Sequence, residues 1–319
     1  MGNNDRKKMH RIGLAVVAGT ALAVAGIAPP VQADGFFGPW QDAVPVSVVN
    51  DSGGGGCPIE TEDGLSLMFA SGRPGGQGML DIWVTDRESL TDEWRTPVNV
   101  AAPVNSTASD FCPTPVYGRS LLFVSERQPE LPGQIACGSG DIYFSRQSPS
   151  GAWSEPRNLG CAPDGPNFVT GERSPSLVET RFGTYLFYSS SGDGSDSDIY
   201  VSRMSDDGSF GPGHKVWGVN TTDNEIMPNV RQNEHGILEM VFSSNRMSWG
   251  ATDTAAFGGQ DVYVSYGVLP GGLWTRPRNL GPAVNSAVDD QRATLSADGL
   301  RLYFGRPGGQ VMVSTRTAR

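Results

Sequence analysis

The stretch Asp141-Ile142-Tyr143-Phe144 decides the fold, because close copies of it return along the whole chain. Each copy is a short run of β-branched and aromatic residues, which is typical of a β-strand. The other copies are Asp81-Ile82-Trp83-Val84, Asp198-Ile199-Tyr200-Val201, Asp261-Val262-Tyr263-Val264 and, more weakly, Gln310-Val311-Met312-Val313. Regular recurrence of one strand-like unit predicts a repeat architecture.

Aromatic residues flank these copies on both sides. Before each copy lies an apolar run that ends near a Phe, at Phe69, Phe123, Phe187, Phe242 and Phe304. After the first four copies comes an aromatic residue soon followed by Pro or Gly, at Trp94, Trp153, Phe210 and Trp274. Each unit therefore contains several short strands separated by turns.

The tightest register lies between the units. An Asn occurs at Asn50, Asn105, Asn167, Asn220 and Asn285. Five residues after each Asn stand Gly55, Asp110, Glu172, Glu225 and Asp290. Three residues further on stand Pro58, Pro113, Pro175, Pro228 and Ala293. Each unit thus reads as four strands: strand a near the Pro, strand b with the Phe, strand c with the Asp-Ile-Tyr phrase, and strand d after the Trp.

Five units of four strands predict an all-β chain folded as a five-bladed β-propeller. The chain ends directly after the fifth strand c, so the fifth blade lacks its outer strand. Near the amino terminus, Trp40, Pro45 and Asn50 repeat the pattern of the missing strand d. We therefore expect an amino-terminal outer strand to close the ring, with residues 34–319 forming one domain.

Residues 1–33 are typical of a secretory signal peptide. A basic start that includes Arg6 and Arg11 precedes the uncharged apolar run 12–28, and small residues follow up to Ala33. We expect cleavage after Ala33 and a secreted or periplasmic protein; an uncleaved membrane anchor is the alternative. No later run is long and apolar enough for a membrane span, so none is expected in the mature chain.

The charge balance excludes some classes of partner. The formal net charge is −10, and the part after residue 33 carries −13. Because an acidic chain without a basic run repels phosphate backbones, we expect no nucleic-acid partner. We expect a monomer without a cofactor.

Four cysteines follow the amino-terminal segment, and an even count in an exported chain favours two disulfides. Free buried thiols and a metal site are the alternatives, although no short Cys spacing of a zinc site is present. The placement of the cysteines next to strand a and in top-face loops predicts the pairs Cys57–Cys112 and Cys137–Cys161.

The phrases Leu-Tyr-Phe at 302–304, Asp-Ile-Tyr-Val-Ser-Arg at 198–203 and Trp-Ser-Glu-Pro-Arg-Asn-Leu-Gly at 153–160 carry a family resemblance. Over residues 36–316 the chain resembles the WD-repeat-like propeller repeats of TolB-type exported bacterial proteins. This resemblance implies the propeller fold, and it implies binding or scaffolding roles as well as some enzymes.

Strand a lines the central channel of a propeller, and the d–a and b–c loops open on one face, the top. The candidate ligand-binding residues there are the acids Asp110, Glu172, Glu225 and Asp290 and the arginines Arg73, Arg127 and Arg246. Such a ring suits a sugar, a peptide or a cation. The alternative is that a feature present in most blades stabilises the blade. By the same register, Ser191 stands at the Arg position of the third blade, and Arg306 is out of register in the fifth.

Two loops offer further sites on the top face. The long loop 244–260 is a candidate part of a binding surface, because irregular long loops often carry function. The oxygen-rich turn 192–198 suits either a calcium ion or a solvated turn, and its spacing is not that of an EF-hand. We expect no metal site.

The reactive groups restrict the possible reactions. His214 and His235 lie on different elements, so neither a histidine metal cluster nor a Ser-His-Asp triad is expected. Only carboxylates remain as catalytic groups. The main hypothesis is therefore a binding or scaffold protein for a glycan or a protein, and the catalytic residues are unknown. The alternative is a carboxylate-based glycoside hydrolase with its site at the channel mouth, where five-bladed arabinanase-type enzymes use carboxylates.

Overall fold

The structure is a computed structural model, and it describes residues 36–116, 119–192, 194, 196–247 and 256–319. The predicted signal peptide and its cleavage site therefore lie outside the described residues. Within these ranges the chain is all-β, with twenty strands and one helical turn. No helix in the described ranges has the length and apolar character needed to cross a membrane.

The strands form five four-stranded antiparallel sheets, so the predicted five-bladed propeller is confirmed. The chain begins with β1 (Val44–Pro45) and helix α1 (Ser47–Asn50). Blade one contains β2 (Gly56–Glu60), β3 (Ser66–Ser71), β4 (Asp81–Asp86) and β5 (Val98–Asn99). Blade two contains β6 (Asp110–Val116), β7 (Ser120–Ser125), β8 (Asp141–Arg146) and β9 (Arg157–Asn158).

The remaining blades repeat this order from strand a to strand d. Blade three contains β10 (Glu172–Thr180), β11 (Gly183–Ser190), β12 (Asp198–Arg203) and β13 (His214–Lys215). Blade four contains β14 (Glu225–Gln232), β15 (Leu238–Ser244), β16 (Asp261–Gly267) and β17 (Arg278–Asn279). Blade five contains β18 (Gln291–Leu295), β19 (Arg301–Arg306) and β20 (Gln310–Thr315), and its fourth strand is β1.

The amino-terminal segment closes the ring as the sequence predicts. Val44 of β1 pairs with Val313 of β20, so the fifth blade gains its outer strand. The Asn50 side chain then accepts a hydrogen bond from the backbone N–H of Val311 at 2.8 Å and donates one to its carbonyl at 3.0 Å. Closure pairs the backbone groups of β20 that would otherwise form an open sheet edge.

The registered Asn of every blade makes this same clamp. Asn105, for example, accepts from the N–H of Ile82 at 2.8 Å and donates to the Ile82 carbonyl at 2.9 Å. Asn167, Asn220 and Asn285 bind Ile142, Ile199 and Val262 in the same way. Each Asn therefore fastens the loop before one strand a to strand c of the preceding blade, which explains its fixed place in the repeat.

Every strand a carries a bulge at one equivalent residue. The backbone there is left-handed, with φ between 48° and 60°, at Cys57, Cys112, Ser174, Met227 and Arg292. The register to strand b shifts at the same place in every blade. These five residues, which we call the inner ring, line the central channel, where a cavity of about 20 Å³ leaves room for roughly one or two water molecules.

Below the inner ring, polar side chains join neighbouring strands a. The Thr114 hydroxyl donates to the Pro175 carbonyl, and the Ser176 hydroxyl accepts from Val230 N–H at 2.9 Å. Asn229 and Thr294 make the equivalent links to Leu295 N–H at 2.9 Å and the Pro58 carbonyl at 2.7 Å. These bonds join blades two to three, three to four, four to five, and five to one.

The junction between blades one and two is different, because the equivalent residue there is the apolar Ile59. The disulfide Cys57–Cys112 joins these two blades instead. The second disulfide, Cys137–Cys161, joins the b–c loop of blade two to the following d–a loop. Both predicted pairs are confirmed.

The strand pairing corrects one alignment made from the sequence. Tyr188, not Phe187, pairs with the aromatic residue of strand c, as Phe69 pairs with Trp83 and Phe123 with Tyr143. The run Phe187-Tyr188 offers two aromatic residues, so the sequence alone does not distinguish them. Four residues after Tyr188 stands Gly192, and Gly192 rather than Ser191 occupies the Arg position of blade three.

Candidate functional site

The b–c and d–a loops meet on one face, which is the top of the propeller. The start of each strand a donates a backbone hydrogen bond to the end of the preceding b–c loop. Examples are Asp110 N–H to the Leu80 carbonyl at 2.8 Å and Glu172 N–H to the Gly140 carbonyl at 2.7 Å. The four predicted acids therefore lie at the top end of strand a, as expected.

All four acids are fully buried inside their blades rather than open to the channel. Each carboxylate accepts a hydrogen bond from the backbone N–H four residues earlier, in its own d–a turn. The donors are Ser106 to Asp110 at 2.7 Å, Phe168 to Glu172 at 2.8 Å, Thr221 to Glu225 at 2.5 Å and Ser286 to Asp290 at 2.6 Å. The acid thus holds the turn that leads into strand a.

Three of the acids also pair with a guanidinium. Arg127 lies 2.6 Å from Asp110, and Arg246 lies 2.9 Å from Glu225. Both arginines are buried, and each guanidinium stacks on the strand-b Phe and the strand-c Tyr of its blade. These pairs occupy the interior of the blade, where they replace water around the buried carboxylates.

Arg306 corrects a second sequence-based interpretation. Although it is two residues early in the repeat, its Nε lies 2.7 Å from Asp290 Oδ1. Strand b of blade five has Arg306 where the other blades have a Ser, and a long side chain reaches the acid from that position. Blade five therefore has the acid–arginine pair that its sequence register conceals.

Blade one has the arginine without the acid. A Cβ on Gly55 would lie 2.7 Å from the Phe69 ring, so no longer side chain fits there. The Arg73 guanidinium donates instead to the Gly54 carbonyl and the Ser52 hydroxyl, each at 2.7 Å. Arg73 therefore holds the loop before β2 by hydrogen bonds, as the acid holds the equivalent loop in the other blades.

Blade three has the acid without the arginine. Glu172 Oε1 accepts from Phe168 N–H and, at 3.2 Å, from the Ser190 hydroxyl, but Oε2 has no hydrogen-bond partner among the described residues. The neighbouring Tyr188 hydroxyl is likewise buried without one. Burial, reinforced by the charge of Asp141, raises the pKa of Glu172 to about 9, so this carboxyl is protonated at neutral pH.

At the top end of the channel, its mouth, strand a carries residues that the repeat pattern did not single out. They occupy the position directly after each acid, or after Gly55 in blade one, and they are Gly56, Phe111, Arg173, Ile226 and Gln291. The inner ring lies directly below them. Within the described ranges, neither position carries a carboxylate. A signal was available in the sequence, because these positions differ between blades while the acids recur.

The top-face loops expose several large apolar side chains. Met79 is 77% exposed in the b–c loop of blade one, Val169 is 75% exposed before β10, and Met247 is 79% exposed after β15.

The candidate loop 244–260 is described only up to residue 247 and again from 256. The candidate calcium turn 192–198 also lies partly outside the described residues. Within the described ranges, no cluster of three or more His, Cys, Asp or Glu has the arrangement of a metal site.

Neither a family model nor a curated protein matches the sequence. Solved structures do match the fold. A thermostable family-43 glycoside hydrolase has 17% identity and a TM-score of 0.55, over 85% of this chain and 92% of that one. The catalytic domain of a Coprinopsis cinerea GH62 α-L-arabinofuranosidase has 13% identity and a TM-score of 0.56, over 89% and 98%. An α-L-arabinofuranosidase from Lactobacillus brevis has 14% identity and a TM-score of 0.53, over 82% and 90%.

These matches correct the family suggested by the repeat phrases. The structural neighbours are five-bladed propellers of glycoside hydrolase families 43 and 62, not WD-repeat or TolB-type proteins. The phrases misled because they describe strands b, c and d, whose apolar residues any propeller blade needs for packing. At these identities the chain shares the five-bladed β-propeller fold of those enzymes.

Proposed function

We propose that this protein is exported and engages a glycan at the top mouth of its channel. The observation that carries the proposal is the five-bladed architecture, which it shares over most of its length with structures described as arabinofuranosidase, arabinase and xylosidase. The two disulfides support an oxidising, extracytoplasmic compartment. The exposed apolar residues on the top-face loops support a binding surface there.

The neighbours favour glycoside hydrolysis as the reaction. Hydrolysis needs a protonated carboxyl that donates to the leaving oxygen, and a raised pKa prepares a carboxyl for this role. Glu172 is the acid with these properties, since its pKa is raised to about 9 and its Oε2 has no hydrogen-bond partner among the described residues. Because Glu172 is fully buried, the turn 168–171 above it must move before a sugar reaches it.

A second candidate function is non-catalytic recognition of a glycan or a protein. The bonding of Asp110, Glu225 and Asp290 favours it, because each is committed to a turn amide and an arginine. The absence of a carboxylate from the channel mouth, within the described ranges, favours it as well. Both functions place the glycan on the same face, so one experiment addresses them together.

The test measures binding and sugar release on arabinan, arabinoxylan and xylan. For hydrolysis, we expect Glu172→Gln to lower turnover by roughly 100-fold or more while binding persists, because the amide keeps the shape and cannot donate a catalytic proton. Glu126→Gln, an exposed change on the same face, is the matched control. Binding without release in the unmodified protein supports the second function. The proposal is overturned if the unmodified protein neither binds any of these glycans nor releases sugar from them.

A further inference from the structure

Two arginines at the channel mouth take no part in the acid–arginine pairs of the blades. Arg173 follows Glu172 directly, and Arg292 is the inner-ring residue of blade five. We call them the mouth arginines. Neither forms an ion pair with a carboxylate in the part of the chain that the structure describes. Their surroundings therefore decide what they are able to bind.

Arg292 reaches from blade five across to blade one. A Cβ on Gly56 would lie 2.5 Å from Arg292 Nη1, so the guanidinium occupies the space that a side chain at residue 56 would fill. Its Nε is buried and has no hydrogen-bond partner among the described residues. A buried donor without an acceptor is unfavourable, and a bound acceptor relieves that cost.

Arg173 lies near the start of strand a in blade three, with its guanidinium 5.3 Å from the centre of the Phe111 ring. Its Nη1 donates to the Glu172 carbonyl at 2.7 Å. The adjacent Glu172 carboxyl is neutral at pH 7 because its pKa is about 9, so it does not compensate the charge of Arg173. Two positive charges therefore remain at the mouth of a chain whose net charge is −10.

The two guanidiniums also influence each other. Burial, together with the like charge of Arg173, lowers the pKa of Arg292. An anion between two such groups is favoured, because it accepts charge-assisted hydrogen bonds from both and removes their repulsion. The narrow cavity below the mouth admits only about one or two waters, so an anion would remain at the mouth.

We propose that the channel mouth binds an acidic sugar through its carboxylate group, held by Arg173 and Arg292. This inference rests on the proposed function for the sugar, and on the mouth arginines for the carboxylate. The half-buried Ile226, at the equivalent position of blade four, gives the mouth an apolar side for the face of the sugar ring. The same chemistry would also accept a free inorganic anion, so the test separates the two sources.

The test uses calorimetric titration of the intact protein with trigalacturonate, its methyl ester, arabinotriose and inorganic phosphate. The variants come from the chain itself. Arg292→Met copies Met227, which occupies the same inner-ring position with the same left-handed backbone, and Arg173→Gln copies Gln291. Arg157→Gln, an exposed change on outer strand β9, removes the same charge far from the mouth and is the control.

We expect trigalacturonate to bind and its methyl ester to bind about tenfold more weakly or not at all. Each mouth variant should bind trigalacturonate about tenfold more weakly or worse, because it loses a charge-assisted hydrogen bond. The control variant should bind trigalacturonate as tightly as the unmodified protein does. Thermal midpoints measured with and without ligand provide a second readout, since only a binding-competent variant is stabilised.

Other results are equally decisive. The inference is overturned if the protein binds trigalacturonate and its methyl ester with equal affinity. It is also overturned if both mouth variants bind trigalacturonate as tightly as the unmodified protein does. Binding or cleavage of neutral glycans with no preference for the acid overturns it but leaves the proposed function standing. Phosphate binding that depends on both arginines, without glycan binding, assigns the site to a free anion and overturns both the sugar and the proposed function.

Discussion

At the scale of the residue, four acids that share one place in the repeat have two different electrostatic environments. Asp110, Glu225 and Asp290 each face a guanidinium, whereas Glu172 faces only turn and hydroxyl donors. The difference arises from Gly192, which replaces the arginine. Glu172 occupies the same repeat position as the other three acids, yet it is a neutral carboxyl at pH 7.

Glu172 should make the stability of the protein depend on pH. Its folded pKa of about 9 lies above the ordinary value of 4.5, so the folded state favours the protonated form, and the free energy of unfolding decreases as pH rises from about 5 towards 9. Glu172→Gln should therefore have a higher thermal midpoint than the unmodified protein at pH 8, and the gap should narrow towards pH 5.

Asp110→Asn is the matched comparison, because it removes a charge that Arg127 compensates. Losing one partner of a buried pair leaves the other unpaired and should destabilise the fold by about 3 kcal/mol or more at pH 7. If the two variants shift the thermal midpoint in the same direction and by the same amount at pH 8, the distinction between the acids is wrong.

At the scale of the element, the junction between β2 and β6 depends on a covalent link. The other four junctions between strands a have a side-chain to backbone hydrogen bond, and this one has Ile59 and the disulfide Cys57–Cys112. The bridge spans 55 residues of sequence, and the loop-entropy model assigns such a link about 4 kcal/mol.

Replacing both of these cysteines by Ser, the residue that blade three has at this position, should lower the thermal midpoint by several degrees. The disulfide Cys137–Cys161 closes a loop of only 24 residues, so it restricts the unfolded chain less. Replacing both of its cysteines by Ser should therefore cost less stability, about 3 kcal/mol. Thermal unfolding of the two double variants provides the comparison. A larger loss for the second pair would contradict a special role for the junction.

At the scale of the whole molecule, the ring depends on a segment that is far away in sequence from the blade it completes. Backbone bonds from Gly38 to Thr317 and from Val46 to Val311 extend the pairing of β1 with β20. A chain that starts at residue 47 should therefore expose the edge of β20 and have a lower thermal midpoint, or aggregate, compared with one that starts at residue 34. Equal midpoints and equal solubility would show that closure is dispensable.

The sequence predicts the blade count, the closure and both disulfides, because these depend on repetition and on spacing along the chain. It does not predict the environment of Glu172, since that depends on which of the two buried residues Phe187 and Tyr188 pairs with Tyr200 of strand c. It also misses Arg173 and Arg292, because a search for recurring residues passes over positions that differ between blades. Repetition therefore reveals what stabilises the blades, and variation between blades points to candidates for function.

The inner ring has a consequence for protein engineering. Five strands present one side chain each at the same height, on a left-handed backbone that costs an unbranched residue about 1–2 kcal/mol and a β-branched one more. The five residues are Cys57, Cys112, Ser174, Met227 and Arg292, and none is β-branched. This position of the repeat therefore accepts unbranched side chains that differ in size and charge. Ser174, Met227 and Arg292 lie outside the Cys57–Cys112 disulfide, so substitutions at these three positions would change the channel lining without removing a covalent link between blades.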